Sequence, residues 1–147
     1  MIRMWLDTEF NEHGGELISL ALAAEDGSEF YEVVACDKPG PWVAEHVIPI
    51  LGKAPVSRAT FALRLHRFLC GREQVWIIAD WPVDIAMFCD AIITGPGTAI
   101  ETPPLAFVLD RTLPDTSIIS KIPHNALEDA RALRAYAMSG VPSGEGE

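Results

Sequence analysis

Apolar runs alternate with short polar turns through the first quarter of the chain. Residues 2 to 10, 16 to 24 and 29 to 35 are rich in apolar and β-favouring side chains, and the stretches between them, NEHGG and EDGS, have turn composition. The pattern predicts a three-stranded antiparallel meander. HGG also occurs in esterase oxyanion loops, but the chain has no GxSxG elbow, so the segment reads as a turn. After KPGP the period lengthens to that of a helix. Residues 42 to 51 and 57 to 70 read as helices, the second capped by Ser57 and carrying Phe61, Leu65, Phe68 and Leu69 on one face. VWIIAD, residues 75 to 80, is a continuous apolar run that suits a central parallel strand covered on both sides. Pro82 then fits the first turn of a helix that runs to about residue 92. GPGT and ETPP mark a loop, residues 105 to 120 hold one short strand, and a last helix starts after His124, where Asn125 and Glu128 have capping-box spacing. A meander followed by helix, strand and helix predicts an α/β fold: a mixed sheet with helices on both faces.

At 147 residues the chain is expected to form one domain, residues 1 to 140, followed by a flexible tail over 141 to 147 within the run SGVPSGEGE. No apolar run approaches the roughly 18 residues of a membrane span, so no membrane partner is expected. The first residues lack a basic segment followed by a cleavable apolar one, from which a cytoplasmic location is the expectation. Cys36, Cys70 and Cys89 are widely spaced in apolar surroundings and read as reduced, mostly buried packing residues. A net charge of −10 argues against a simple polyphosphate binder. Bound divalent metal would reverse the local sign of an acid cluster. Basic residues gather at Arg58, Arg64, Arg67 and Arg72, which read as a solvated helix face, and at Lys121, Arg131 and Arg134 around the last helix.

Several acids sit where the local pattern calls for an apolar residue. A buried, unpaired carboxylate costs several kcal/mol or takes up a proton, so acids placed this way point to metal. Asp7 and Glu9 are two apart on a strand and share one face, with Trp5, while Thr8 and Phe10 face the other way. Asp84 shares the sheet-facing side of its helix with Met87, Phe88 and Ala91. The helix macrodipole favours an acid there by about 0.3–1 kcal/mol, but Asp80, at the strand-to-helix junction, is the better-placed cap. Asp129 shares a face with Ala126, Ala130, Leu133 and Tyr136, and the small alanines would let this helix lie close to the sheet. His124 stands just ahead on a proline-bounded loop. Hard carboxylate ligands without cysteine or paired histidines select Mg²⁺ or Mn²⁺. Two such ions about 4 Å apart would clamp the attacking and leaving oxygens of a phosphoryl displacement, and a histidine beside them could deprotonate the attacking water.

The order DxE, then an Asp opening a helix after an apolar strand, then H-x4-D, resembles the DEDDh group of 3′-to-5′ exonucleases, which have a ribonuclease H-like fold. The chain is similar in particular to the small mycobacterial-type exoribonuclease family, through DTEF (7 to 10), ELIS (16 to 19), AEDG (24 to 27), SR (57 to 58) and HNALEDAR (124 to 131). The likeness spans roughly residues 2 to 137. It implies Asp7, Glu9, Asp84 and Asp129 as ligands of two Mg²⁺ or Mn²⁺ ions and His124 as general base. Asp84 is chosen over Asp80 and Asp90 because the family places this acid just inside the helix, with an apolar residue three or four positions on. The resemblance also implies substrate contacts at Thr8, Glu9, Phe10 and His124, which for Thr8 and Phe10 requires the strand end to twist or bend. The implied activity is metal-dependent 3′-to-5′ exoribonuclease action on RNA 3′ ends, single-stranded or overhanging, with release of nucleoside 5′-monophosphates. A homodimer is the further partner implied. The alternatives are an exonuclease acting on DNA and a noncatalytic nucleotide or RNA-end binding module of the same fold. Trp42 and Trp81, read mainly as core or rim packing, are also placed in the sequence to stack on bases.

Overall fold

The structure, a computed structural model, describes residues 1–140; the expected tail over 141–147 lies outside the described residues. The meander forms as the pattern predicts: β1 (Ile2–Phe10), β2 (Leu17–Ala24) and β3 (Glu29–Val33) pair antiparallel in that order. At the first turn Gly15 has no room for a side chain, because an added Cβ would fall on the Asn11 carbonyl. Next come α1 (Pro41–His46) and a single 3₁₀ turn (Ile48–Ile50), in place of the one continuous helix expected over 42 to 51. Pro49 explains the break: it lacks the N–H that a continued helix would need and its ring crowds the preceding turn. Then follow α2 (Arg58–Leu69), β4 (Val75–Ala79) and α3 (Pro82–Ala91). Ser57 caps α2 by accepting a hydrogen bond from the Thr60 N–H at 3.1 Å. The GPGT loop is the tip of a hairpin between β5 (Ile93–Gly95) and β6 (Thr98–Ala99), strands too short to show a pattern in the sequence. Residues 105 to 120 supply β7 (Leu105–Leu109) and one helical turn, α4 (Thr116–Ile119), before α5 (Ala126–Met138).

The main sheet has five strands in the order β3-β2-β1-β4-β7, with β4 parallel to both β1 and β7. This is the mixed sheet expected from the sequence and is consistent with a ribonuclease H-like fold. On one face Met4, Leu6, Leu20, Leu22 and Ile77 pack against Phe61, Leu65 and Leu69 of α2 and Phe88 of α3. The opposite face is closed in two places. Ile18 and Val33 meet Val43 and Val47 of α1 and its flank, while Ala21 and Ala23 meet Ala126 and Ala130 of α5. Paired alanines bring α5 onto the sheet, and Trp5, Ile78 and Leu133 fill the space beside them. Tyr136, expected on this buried face, is 40% exposed because α5 has run past the packed alanines by that point; Ala137 packs there instead.

Two ion-pair groups tie the layers together. Glu29 on β3 accepts from Arg131 Nε and Nη2 at 2.8 and 2.7 Å and from Arg134 at 3.0 Å, which fixes the rotation of α5 over the sheet. Glu32, almost fully buried, accepts from Lys53 and Arg64. The basic residues near the last helix are therefore largely committed to structure. Glu128 bonds Arg131, so only the Asn125 half of the capping box forms. Of the three free cysteines, Cys36 and Cys89 are half-buried, and Cys70 is exposed at the end of α2, contrary to its expected burial, because the residue lies where the helix stops and leaves the sheet.

Candidate active site

Pairing between β1 and β4 stops at Trp5 and Ile78, while pairing between β1 and β2 continues to Phe10 and Leu17. The end of β1 thus runs on beyond β4, and its register shifts between Glu9 and Phe10. Both faces of this strand end border one open cavity of about 540 Å³, so Asp7, Thr8, Glu9 and Phe10 all line it. Simple alternation predicts otherwise; it fails where β1 has lost β4 as a neighbour and where β2 inserts Ile18 between the partners of Glu9 and Phe10. Asp84 from the first turn of α3, His124, and Asp129 from the first turn of α5 line the same cavity. Every site residue expected from the sequence is therefore brought to one place.

Asp7, Asp84 and Asp129 are all more than nine-tenths buried. The Thr8 hydroxyl donates to Asp84 Oδ1 at 2.6 Å, linking β1 to α3 and committing the Thr8 side chain. Among the described residues Asp7 Oδ2 and Asp129 Oδ1 are buried without a hydrogen-bond partner. Burial, followed by the charges of Asp84, Glu9 and Asp129, raises the Asp7 carboxyl well above its ordinary range. Burial and the charges of Asp129 and Asp84 push Glu9 up to about 9. Asp84 is pushed up to about 7, mainly by burial and against the pull of the Thr8 hydroxyl, and Asp129 to about 6, mainly by burial. Four acids so raised are a cluster that is unfavourable as anions until a cation joins it.

Two overlapping groups have the spacing of metal ligands. One carboxylate oxygen from each of Asp7, Glu9 and Asp129 lies within 4.8 Å of the others, and the same holds for Asp7, Asp80 and Asp84. Asp80 is a correction to the sequence reading, which made it a helix cap. The cap position of α3 is Trp81, one residue later, and no side chain caps that helix. Instead Asp80 lines the cavity, and burial raises its carboxyl.

His124 adopts a left-handed backbone with φ of 70°. A non-glycine residue held there is strained and persists only where its surroundings fix it. They do so on both sides. Asn125 donates from its side chain to the Ile50 carbonyl at 2.9 Å and accepts from the Glu128 N–H at 3.0 Å, while the Trp42 ring meets the imidazole edge-on at a centroid distance of 5.0 Å. Trp42 and Trp81 are each half-exposed, and Trp81 lines the cavity. The sequence reading passes over Arg111, whose guanidinium stacks 4.8 Å from the Trp81 ring centre. Among the described residues Arg111 is the one arginine or lysine lining the cavity, and its position past the end of β7 is invisible to a local pattern.

No family model matches the chain. Two proteins of Mycobacterium tuberculosis, from strains CDC 1551 / Oshkosh and ATCC 25618 / H37Rv, each named 3′-5′ exoribonuclease, are 33% identical to it over 152 residues. The match covers 88% of this chain and 88% of each relative. On this evidence the chain belongs to the family of these 3′-5′ exoribonucleases.

Proposed function

We propose that the protein is a metal-dependent 3′-to-5′ exoribonuclease of the DEDDh type, hydrolysing phosphodiester bonds from the RNA 3′ end and releasing nucleoside 5′-monophosphates. The observation that carries this reading is the pair of buried carboxylate oxygens without partners, Asp7 Oδ2 and Asp129 Oδ1, at the floor of an open cavity. They fit a metal centre. The donors are all hard oxygens with no thiolate among them, which suits Mg²⁺ or Mn²⁺. Asp7, Glu9 and Asp129 would hold one ion, and Asp7 with Asp84 the other. When bound, such ions supply Lewis-acid stabilisation of the charge that builds up in phosphoryl displacement.

The remaining work belongs to side chains of this protein. An imidazole nitrogen of His124 takes a proton from the attacking water as its oxygen bonds to phosphorus, and the bond from phosphorus to the 3′ oxygen of the preceding nucleotide breaks. The edge-on contact with Trp42 and the fixed left-handed turn hold the ring for that transfer. Phe10 offers its ring to the terminal base. Thr8 is left with its backbone, since its hydroxyl is engaged by Asp84. Glu9 reaches the terminal ribose hydroxyl, and Arg111 meets a phosphate. A single cation at the mouth of an acidic cavity suits short contact at a strand end rather than a long electrostatic track.

The test is product identification. Single-stranded RNA and its DNA equivalent are incubated with Mn²⁺ and the products separated by chromatography. Nucleoside 5′-monophosphates from RNA are expected. Release of 3′-monophosphates or internal fragments would refute the reading, and cleavage of DNA in preference to RNA would move the substrate assignment.

A further inference from the structure

We propose that Asp80 is itself a metal ligand, which with Asp7 and Asp84 forms a cation site separate from that of Asp7, Glu9 and Asp129. The inference rests on the metal-centre reading above and adds a fifth carboxylate to it. Oxygen ligands of one divalent ion stand about 2.0–2.6 Å from it, so two of them are never more than about 4–5 Å apart. The oxygens of Asp7, Asp80 and Asp84 meet that limit, all lying within 4.8 Å of one another.

A cluster of acids alone would not point to a ligand; the state of its members does. Asp7, only 7% exposed, is common to both groups, and its Oδ2 has no hydrogen-bond partner among the described residues. Asp84 is held in place from one side by the Thr8 hydroxyl at 2.6 Å, which leaves its other oxygen for a cation. Asp80 has neither of the ordinary reasons for an acid at this position. It does not cap α3, whose cap position is Trp81. Among the described residues the ion-paired arginines and lysine engage Glu25, Glu32, Asp90, Asp26, Glu29 and Glu128, and none engages Asp80. Arg111 is the cation at hand, and it stacks on Trp81 instead. The fold places Asp80 here because it directly follows β4, whose pairing with β1 ends at Trp5 and Ile78, two residues before Asp7. A half-buried acid without cap or counter-ion, set against two buried acids, is accounted for by a shared cation.

The experiment is titration of the full-length, metal-stripped protein with Mn²⁺, followed by calorimetry and by electron paramagnetic resonance of the bound ion. Four proteins are compared: wild type, Asp80→Asn, Glu9→Gln and Asp115→Asn. Asp115 lines the same cavity and carries the same charge but belongs to neither ligand group, and asparagine there can still accept from the Ser117 N–H. Wild type is expected to bind two ions. Asp80→Asn should weaken one of them by at least the roughly 10–100-fold that loss of even an outer-shell partner costs a metal site, and leave the other near its wild-type affinity. Glu9→Gln should weaken the ion that Asp80→Asn spares, and Asp115→Asn should change both only slightly. Unchanged affinity for every bound ion in Asp80→Asn would overturn the inference, as would an equal loss in Asp115→Asn, which would make the effect one of bulk charge. Absence of Mn²⁺ binding by the wild type would instead overturn the metal-centre reading on which the inference stands. Melting of the metal-free proteins establishes that each variant is folded before titration.

Discussion

Replacing Asp129 by asparagine should stabilise the metal-free protein and weaken its response to metal, two effects of opposite sign from one isosteric change. Asp129 is 3% exposed in the first turn of α5, and burial raises its pKa from an ordinary 3.8 to about 6. A difference of a little over two pH units corresponds to about 3 kcal/mol, at about 1.36 kcal/mol each. The sign follows from proton linkage: the folded state binds this proton more tightly than the unfolded chain, so the associated stability is complete below about pH 4 and is lost as pH rises through 6. At pH 8 the metal-free wild type therefore carries the whole penalty, and the asparagine variant carries none. Against this, the variant gives up the favourable interaction of a carboxylate with the α5 N-terminus, about 0.3–1 kcal/mol. The net gain is about 2 kcal/mol, or about 4–8 °C in melting temperature for a domain of this size. Thermal melts of both proteins in EDTA and in Mn²⁺, at pH 8 and pH 5, provide the assay. The expected pattern is a higher melting temperature for Asp129→Asn in EDTA at pH 8, a difference much reduced at pH 5, and a rise on adding Mn²⁺ that is smaller in the variant than in the wild type. A variant less stable than wild type in EDTA at pH 8, yet stabilised by Mn²⁺ as much as the wild type, would refute the reasoning.

Three further outcomes follow from the same geometry. His124→Ala should keep the Mn²⁺-dependent rise in melting temperature but turn over about 10²–10⁴-fold more slowly, the usual contribution of a positioned acid or base; single-turnover kinetics at saturating enzyme would measure it. Thr8→Val removes the hydroxyl that donates to Asp84 at 2.6 Å, and loss of a hydrogen bond to a charged group should cost about 1.5–3 kcal/mol at pH 8, read by urea unfolding. Gly15→Ala sets a Cβ against the Asn11 carbonyl in the first hairpin turn, and a destabilisation beyond the roughly 1 kcal/mol of a typical substitution is expected in the same assay.

The parts of the molecule legible in the sequence are those fixed by a local period. Three apolar runs with turns between them became β1, β2 and β3, VWIIA became the central β4, and the alanine face of the last helix became the contact with Ala21 and Ala23. The acids were legible because they interrupt those periods: Asp84 beside Phe88, and Asp129 between Ala126 and Ala130. What stayed hidden depends on neighbours distant in sequence. Thr8 and Phe10 line the cavity where β4 has ended and where β2 inserts the extra residue Ile18 opposite the end of β1, which no alternation along β1 records. Asp80 looked like a helix cap because it is one residue from the true cap position, and its carboxylate partners lie on β1 and further along α3. Arg111 and Trp42 meet the site through the end of β7 and through α1, elements whose position over the sheet is a tertiary result. The break in the helix expected over 42 to 51 had a visible cause in Pro49, outweighed in the reading by the apolar spacing around it.

The central claim is that the buried carboxylates at the end of β1 are a metal-dependent nuclease centre, and Asp7, shared by both ligand groups, is the residue on which it turns. The most direct measurement is a gel time course with a 5′-labelled single-stranded RNA, run in Mg²⁺, Mn²⁺ or EDTA with wild-type protein and with Asp7→Ala. A ladder shortening from the 3′ end, present with either metal, absent in EDTA and absent in a folded Asp7→Ala protein, is the result predicted. Intact RNA under every condition with wild type, or full activity in Asp7→Ala, would contradict the account.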